Sequence, residues 1–184
     1  MQIVVSGTHS SGKSTLISDF TLHHRTFDAL PDPFELVDER WDLPDAALFS
    51  AQLQVAADRL VEGPRAARDV IAERGPIDFL AYLIALEDLG RTSGSRGSLG
   101  RATAITAEAL GRVDLLVVLP LAGSDQAAPG PEEDLELRAA MNDALLDLIA
   151  DPDVVPEHVR VVEIAGDRRE RLSTLESVAG TIRR

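Results

Sequence analysis

The stretch from Gln2 to Asp19 constrains the chain more than any other. It opens with an apolar run, Ile3 to Val5, passes through Gly7-Thr8-His9-Ser10-Ser11-Gly12-Lys13-Ser14, and continues into Leu16, Ile17 and Phe20 at helical spacing. This is the pattern G-x-x-x-x-G-K-[ST] set between an expected strand and an expected helix, the context its mechanism needs. Gly7 and Gly12 remove side chains that would block a tight turn and permit dihedrals closed to other residues. Successive N–H groups in such a turn point inward and form an anion nest, reinforced by the amino-terminal end of the following helix. Lys13 supplies an ammonium that reaches terminal phosphates, Ser14 a hydroxyl suited to the Mg²⁺ that bridges them, and Thr15 a further phosphate contact. The expected ligand is therefore a nucleoside triphosphate, with ATP and Mg²⁺ as the cofactors.

Composition sharpens this reading at one point. Of the 18 Lys and Arg residues only Lys13 is lysine. A chain so biased toward arginine keeps its lysine where a point-like ammonium differs most from a planar guanidinium. The net charge of −13 argues against nucleic acid as a partner, because backbone binding needs a basic face. It also means that any phosphate site must gather its positive charge locally. No cysteine is present, which removes disulfides, thiolate metal sites and a cysteine nucleophile, and fits a cytoplasmic protein. No run approaches the roughly 18 apolar residues needed to span a bilayer, and with an apolar strand starting at residue 2 no targeting segment is expected. A homodimer is compatible with the sequence but not specified by it.

Beyond the first helix, expected over 13–25, His23 and His24 read as surface residues, since neighbours on a helix face different ways and no matching ligand cluster follows. Pro31-Asp32-Pro33 breaks the chain, and Phe34-Glu35-Leu36-Val37 reads as the second strand, ending in Asp38-Glu39-Arg40. In a parallel sheet the carboxyl end of a strand faces the ligand crevice. Asp38 or Glu39 there would orient, or take the proton from, an acceptor hydroxyl, the alternative being a solvated charged turn. Trp41 either packs in the core or walls the acceptor pocket. Residues 45–62 form an amphipathic helix with Phe49, Leu53, Ala56 and Leu60 on one face.

Val70 to Ala72 reads as a third strand with Glu73 and Arg74 at its tip, followed by a helix from Ile77 to about Leu89. A carboxylate at that tip can hold the magnesium hydration shell, and an adjacent guanidinium can clamp the charge that develops on a moving phosphoryl group. The competing reading is a structural ion pair. The Gly/Ser-rich segment 90–101 offers Arg91, Arg96 and Arg101 as weaker candidates for phosphate contacts. A helix over 99–111 leads to Val113–Pro120, the continuous apolar run of a central parallel strand. Pro131-Glu132-Glu133-Asp134 opens a helix with its acids at the positive end of the dipole, Val159 to Ile164 is the last strand, and Asp167 and Glu170 have capping-box spacing ahead of the final helix.

Gly7 to Leu16 together with Glu-Arg-Gly-Pro-Ile-Asp-Phe-Leu-Ala-Tyr at 73–82 resembles the P-loop kinases of the nucleoside and nucleotide kinase group, and especially the NadR-type nicotinamide riboside kinases and related AAA-domain small-molecule kinases. The resemblance implies that Glu73 and Arg74 are active-site residues, that Asp78 supports the acceptor pocket or the geometry of the motif, and that the strand order is 2-3-1-4-5. It also implies a lid after the fourth strand that lowers arginines onto the phosphates. Arg138 is the match just inside the helix, whereas the loop from 121 to 131 holds no Arg or Lys and has Gly130-Pro131 where relatives often show Gly-x-Arg.

The expected architecture is a single α/β P-loop domain over 1–184, a five-stranded parallel sheet with helices on both faces, and lid-like segments at about 90–101 and 120–138. The expected activity is ATP- and Mg²⁺-dependent phosphoryl transfer to a nucleoside- or nucleotide-like metabolite. The competing classes are an ATP-hydrolysing and an ATP-binding regulatory protein. A GTPase of the usual kind is excluded because Lys13 is the only lysine, so the Asn-Lys-x-Asp base-reading motif cannot exist. An AAA+ motor lacks residues for its helical second domain. Val37-Asp38-Glu39 imitates a Walker B strand but lies early for one.

Overall fold

A computed structural model describes residues 1–36, 45–62, 69–91, 96–121 and 134–182. Among them a five-stranded parallel sheet has the order β2-β3-β1-β4-β5, formed by β1 (Gln2–Gly7), β2 (Phe27–Leu30), β3 (Asp69–Glu73), β4 (Leu115–Leu119) and β5 (Arg160–Glu163). Six α-helices join or follow them: α1 (Lys13–His23), α2 (Ala46–Glu62), α3 (Pro76–Asp88), α4 (Arg96–Leu110), α5 (Leu135–Ile149) and α6 (Arg168–Ile182). β1 sits at the centre, with Val4 opposite Ala72 of β3 and Leu116 of β4.

The two-residue period of the strands divides the core. Val4, Ala72, Leu116 and Val118 pack with α2, α3, α4 and α5 on one face. Ile3, Val5, Ile71, Leu115 and Val117 pack with α1 and α6 on the other. Every residue of β4 is buried, as the unbroken apolar run requires of a strand covered on both sides. Because the chain leaves β1 for one edge of the sheet and returns through β4 on the other side, the crevice at the carboxyl ends of β1 and its neighbours is where such a sheet places its ligand.

One strand lies elsewhere than the sequence suggested. β2 is Phe27–Leu30, and Pro33–Leu36 forms a short 3-10 turn. The observed strand is an edge strand with only Phe27 fully buried, and Asp and Ala are poor strand formers, so its signal is faint. The strand expected from Phe34 onward is overruled at Phe34 to Leu36: Pro33 presets the first dihedral of the turn, and the Asp32 carboxylate accepts the Phe34 N–H at 3.0 Å, while Val37 lies outside the described residues. The carboxyl tip of β2 therefore falls at Asp32. Asp38, Glu39 and Trp41 lie outside the described residues, as do Gly130 and Pro131.

Candidate active site

The P-loop owes its shape to the residues that meet behind it. Gly7 has φ +148°, and a Cβ there would stand 2.7 Å from the Leu119 carbonyl oxygen, while Gly12 opens α1 from the left-handed region at φ +91°. Asp78, wholly buried in the first turn of α3, accepts the Ser6 hydroxyl at 2.6 Å, the Gly7 N–H at 2.9 Å and the Gly75 N–H at 2.9 Å. One carboxylate thus joins the end of β1, the first residue of the loop and the start of α3. Burial pushes the Asp78 carboxyl up, against Arg74, Lys13 and its hydrogen-bond donors. With both oxygens accepting N–H bonds it serves as carboxylate. Of the two roles expected of Asp78, these hydrogen bonds serve the one that holds the geometry of the loop.

Lys13 is 4% exposed. Its Nζ donates to the carbonyls of Thr8 at 2.6 Å and Gly7 at 3.1 Å and lies 3.4 Å from Ser11 Oγ. Burial lowers its pKa to about 7, helped by the nearby Arg74 and resisted by Asp78, Glu73 and Asp32. The Ser14 hydroxyl donates to Glu73 Oε1 at 2.7 Å, so the two residues singled out for magnesium are already side by side.

Arg74 is the second cation of the site. It stands at φ +60°, a left-handed conformation that costs a non-glycine residue about 1–2 kcal/mol and persists where surroundings over-determine it. Here they do. Nε donates to Asp32 Oδ2 at 2.7 Å, Nη1 donates to the Gly7 carbonyl at 3.2 Å, and the guanidinium lies 5.5 Å from the ring centre of Phe34 and 5.7 Å from that of Tyr82. Burial opposes its charge, but Tyr82, Asp78 and Asp32 outweigh it and raise the pKa further above the arginine range. The pair of Glu73 and Arg74 is therefore divided in role, with Glu73 turned to Ser14 and Arg74 turned to Asp32.

These groups face a cavity of about 600 Å³ that has the loop residues His9 to Thr15 on one side and Asp32, Phe34, Glu73 and Arg74 on the other. A smaller recess of about 200 Å³ shares Ser10, Ser11, Gly12 and Thr15 with it and is closed by Gly166, Arg168 and Arg171 at the start of α6. Arg171 ties that recess to the loop, donating from Nη1 to the Ser11 carbonyl at 2.8 Å and from Nε to the Gly166 carbonyl at 2.7 Å. Arg138, nearly buried on α5, brings Nε to 3.5 Å from Thr8 Oγ1.

Of the residues expected to act, the fold brings Gly7 to Thr15, Glu73, Arg74 and Arg138 together. Arg91 is turned elsewhere, onto the carboxylates of Asp134 and Glu136. Arg101 is exposed on α4. His23 and His24, expected as surface residues facing different ways, both lie against Glu176 of α6, with His23 exposed and His24 half-buried and stacked on Phe20 at 4.4 Å. Sequence reasoning missed Asp32, Phe34 and Arg171, which line the two cavities. The available signal was slight: an acid fixed between two prolines. Gln52 lies one turn on from Phe49, is fully buried, and has no hydrogen-bond partner for Oε1 or Nε2. Phe49 itself stacks on Tyr82 at 4.5 Å and meets Phe34 edge-on.

No protein-family model matches the sequence, and no curated protein matches it in sequence. Solved structures do match in fold. Thymidylate kinase from Candida albicans superposes with a TM-score of 0.68 at 20% identity, over 98% of this chain and 91% of that one. Deoxyadenosine kinase from M. mycoides, in a structure with dCMP and dCDP bound, gives 0.68 at 14% identity over 98% and 100% of the two chains. The same kinase with dATP bound gives 0.65 at 12% identity over 98% and 99%. At these identities the likeness establishes a shared P-loop kinase fold along essentially the whole chain.

Proposed function

We propose that this chain is an ATP- and Mg²⁺-dependent small-molecule kinase that transfers the γ-phosphoryl group to a hydroxyl or phosphate of a nucleoside-like acceptor. The observation that carries the proposal is the 600 Å³ cavity in which the phosphate loop, with Lys13 and Ser14, faces Asp32, Phe34 and Arg74. A phosphate cradle that shares its cavity with an acid, an arginine and the Phe34 ring has room for an acceptor beside the donor.

In this reading Lys13 and the loop N–H groups hold the β and γ phosphates, and Arg74 and Arg138 balance the charge that builds on the transferring group. Ser14 and Glu73 present a hydroxyl and a carboxylate 2.7 Å apart, an oxygen donor set that fits magnesium. They would hold the ion, Glu73 through water, and the ion would neutralise phosphate charge. Asp32, fixed by Arg74 and by its place between two prolines, orients the acceptor hydroxyl and takes its proton. Asp38 and Glu39, expected in that role from the sequence, lie outside the described residues.

The acceptor end is read from Phe34, which lines the cavity and offers a stacking surface that remains 40% exposed. The flat ring of a nucleobase would stack on it. Thymidylate kinase and deoxyadenosine kinase, the fold's neighbours, are named for substrates of that chemistry.

The test is ADP release from Mg·ATP against nucleosides, nucleoside monophosphates and small alcohols, with Lys13→Ala as control. Release that requires one ring-bearing acceptor and vanishes in the control is expected. Acceptor-independent release would instead make the protein a hydrolase, and tight ATP binding without release to any acceptor a sensor.

A further inference from the structure

Arg138 reaches the P-loop from the first turn of a helix whose start the rest of the fold must hold in place. The helix begins at Leu135, with Asp134 as its N-cap. Asp134 Oδ1 accepts the Leu137 N–H at 3.0 Å, and the Asp134 carbonyl accepts the Arg138 N–H at 2.9 Å. The position of Asp134 therefore sets the origin from which the Arg138 side chain extends. The second oxygen of the same carboxylate is held by Arg91 Nη1, while Arg91 Nη2 donates to Glu136 Oε2 at 2.5 Å.

Arg91 is itself rooted in a rigid place. α3 ends with Gly90 at φ +65°, the Gly90 N–H donating to the Glu87 carbonyl at 2.9 Å and the Arg91 N–H to the Leu86 carbonyl at 2.8 Å. This is a Schellman motif, with Arg91 as the residue that closes it. At its other end α3 is fastened to the P-loop through Asp78. The two nitrogens of one planar fork thus fix two carboxylates of α5's first turn to a helix anchored under the loop, which a single ammonium cannot reproduce.

We propose that Arg91 is a positioning residue of the phosphate site: by gripping Asp134 and Glu136 it sets the register of the first turn of α5, and so the reach of Arg138 to the P-loop. The proposal rests on the phosphate-site reading of Arg138 given above. It assigns a function to an arginine that touches neither the loop nor the cavity lining, and it accounts for a cation spent on two exposed acids of a chain already rich in acids.

The test measures Mg·ATP affinity by equilibrium binding, which needs no acceptor, together with kcat and KM on the acceptor found by the panel above. Thermal melting is followed in parallel. Arg138→Ala is expected to weaken Mg·ATP at least tenfold, and Arg91→Ala about three- to fivefold, with the midpoint of melting unchanged and acceptor KM within twofold. The double variant should bind no worse than Arg138→Ala alone, because Arg91 acts only through Arg138. Asp134→Asn keeps an oxygen for the cap but loses the charge, and should match Arg91→Ala. Arg91→Lys should recover only part of the affinity. Losses that multiply in the double variant, or an Arg91→Ala protein indistinguishable from the parent while Arg138→Ala is impaired, would overturn the role of Arg91 and leave the phosphate site standing. An Arg138→Ala protein with unchanged affinity and turnover would overturn both.

Discussion

Nucleotide binding to this protein should consume protons, because its one lysine is held in the P-loop at a pKa of about 7. In the free protein Lys13 is charged below that pH and increasingly neutral above it. A bound triphosphate needs the ammonium and holds it charged, so each unit of pH above 7 should cost close to a factor of ten in affinity, about 1.4 kcal/mol. Between pH 6 and 8 the expected loss is about tenfold, with roughly half a proton taken up per nucleotide at pH 7. Calorimetry in two buffers of different ionisation enthalpy, at saturating magnesium, reads that uptake directly, and Lys13→Met should abolish it. The same shift carries a stability signature of fixed sign. From about pH 7 to 10.5 the unfolded chain binds the extra proton, so the stability of the ligand-free protein should rise with pH across that window. Below it the burial cost is present in full, and Lys13→Met should raise ligand-free stability at pH 6 by up to about 5 kcal/mol. Affinity that is flat from pH 6 to 8, with no proton uptake, would refute the argument.

Other substitutions separate chemistry from architecture. Asp32→Asn should lower acceptor-dependent kcat by about 10²–10⁴-fold while Mg·ATP affinity, measured by equilibrium binding, stays within a few-fold. Asp78→Asn keeps the volume but offers a single acceptor oxygen to three donors. It should destabilise the protein by about 2–4 kcal/mol in urea unfolding and weaken nucleotide binding through the distorted loop. Gln52→Leu removes an unpaired buried amide, so unfolding should show stability unchanged or slightly raised.

The sheet was legible because strands buried on both faces leave continuous apolar runs. Ile3 to Val5 and Val113 to Leu119 can be little else once flanked by a glycine turn and by helical periodicity. Edge strand β2 carries no such run. Phe27-Asp28-Ala29-Leu30 is held by pairing with β3, with Phe27 opposite Asp69 and Leu30 opposite Ala72, and a partner so far along the chain leaves no local trace. That displacement puts Asp32, between its two prolines, at the cavity, while Asp38 and Glu39 lie outside the described residues.

The phosphate half of the site was legible for a different reason from the acceptor half. A phosphate is bound mainly by backbone N–H groups, so the sequence needs glycines at fixed spacing, and local spacing survives in one dimension. The proposed acceptor side is made of Asp32 and Phe34, which follow β2, and of Arg74 at the tip of β3, and their meeting depends on how distant elements pack. Arg74 stands where the two halves join. It donates to the Gly7 carbonyl on the phosphate side and to Asp32 on the acceptor side, and its left-handed backbone is what aims it at both. A glycine there would relax the backbone and lose both contacts. The strain at Arg74 persists because these two contacts over-determine it, and in the proposed transfer they would hold the loop and Asp32 in one register.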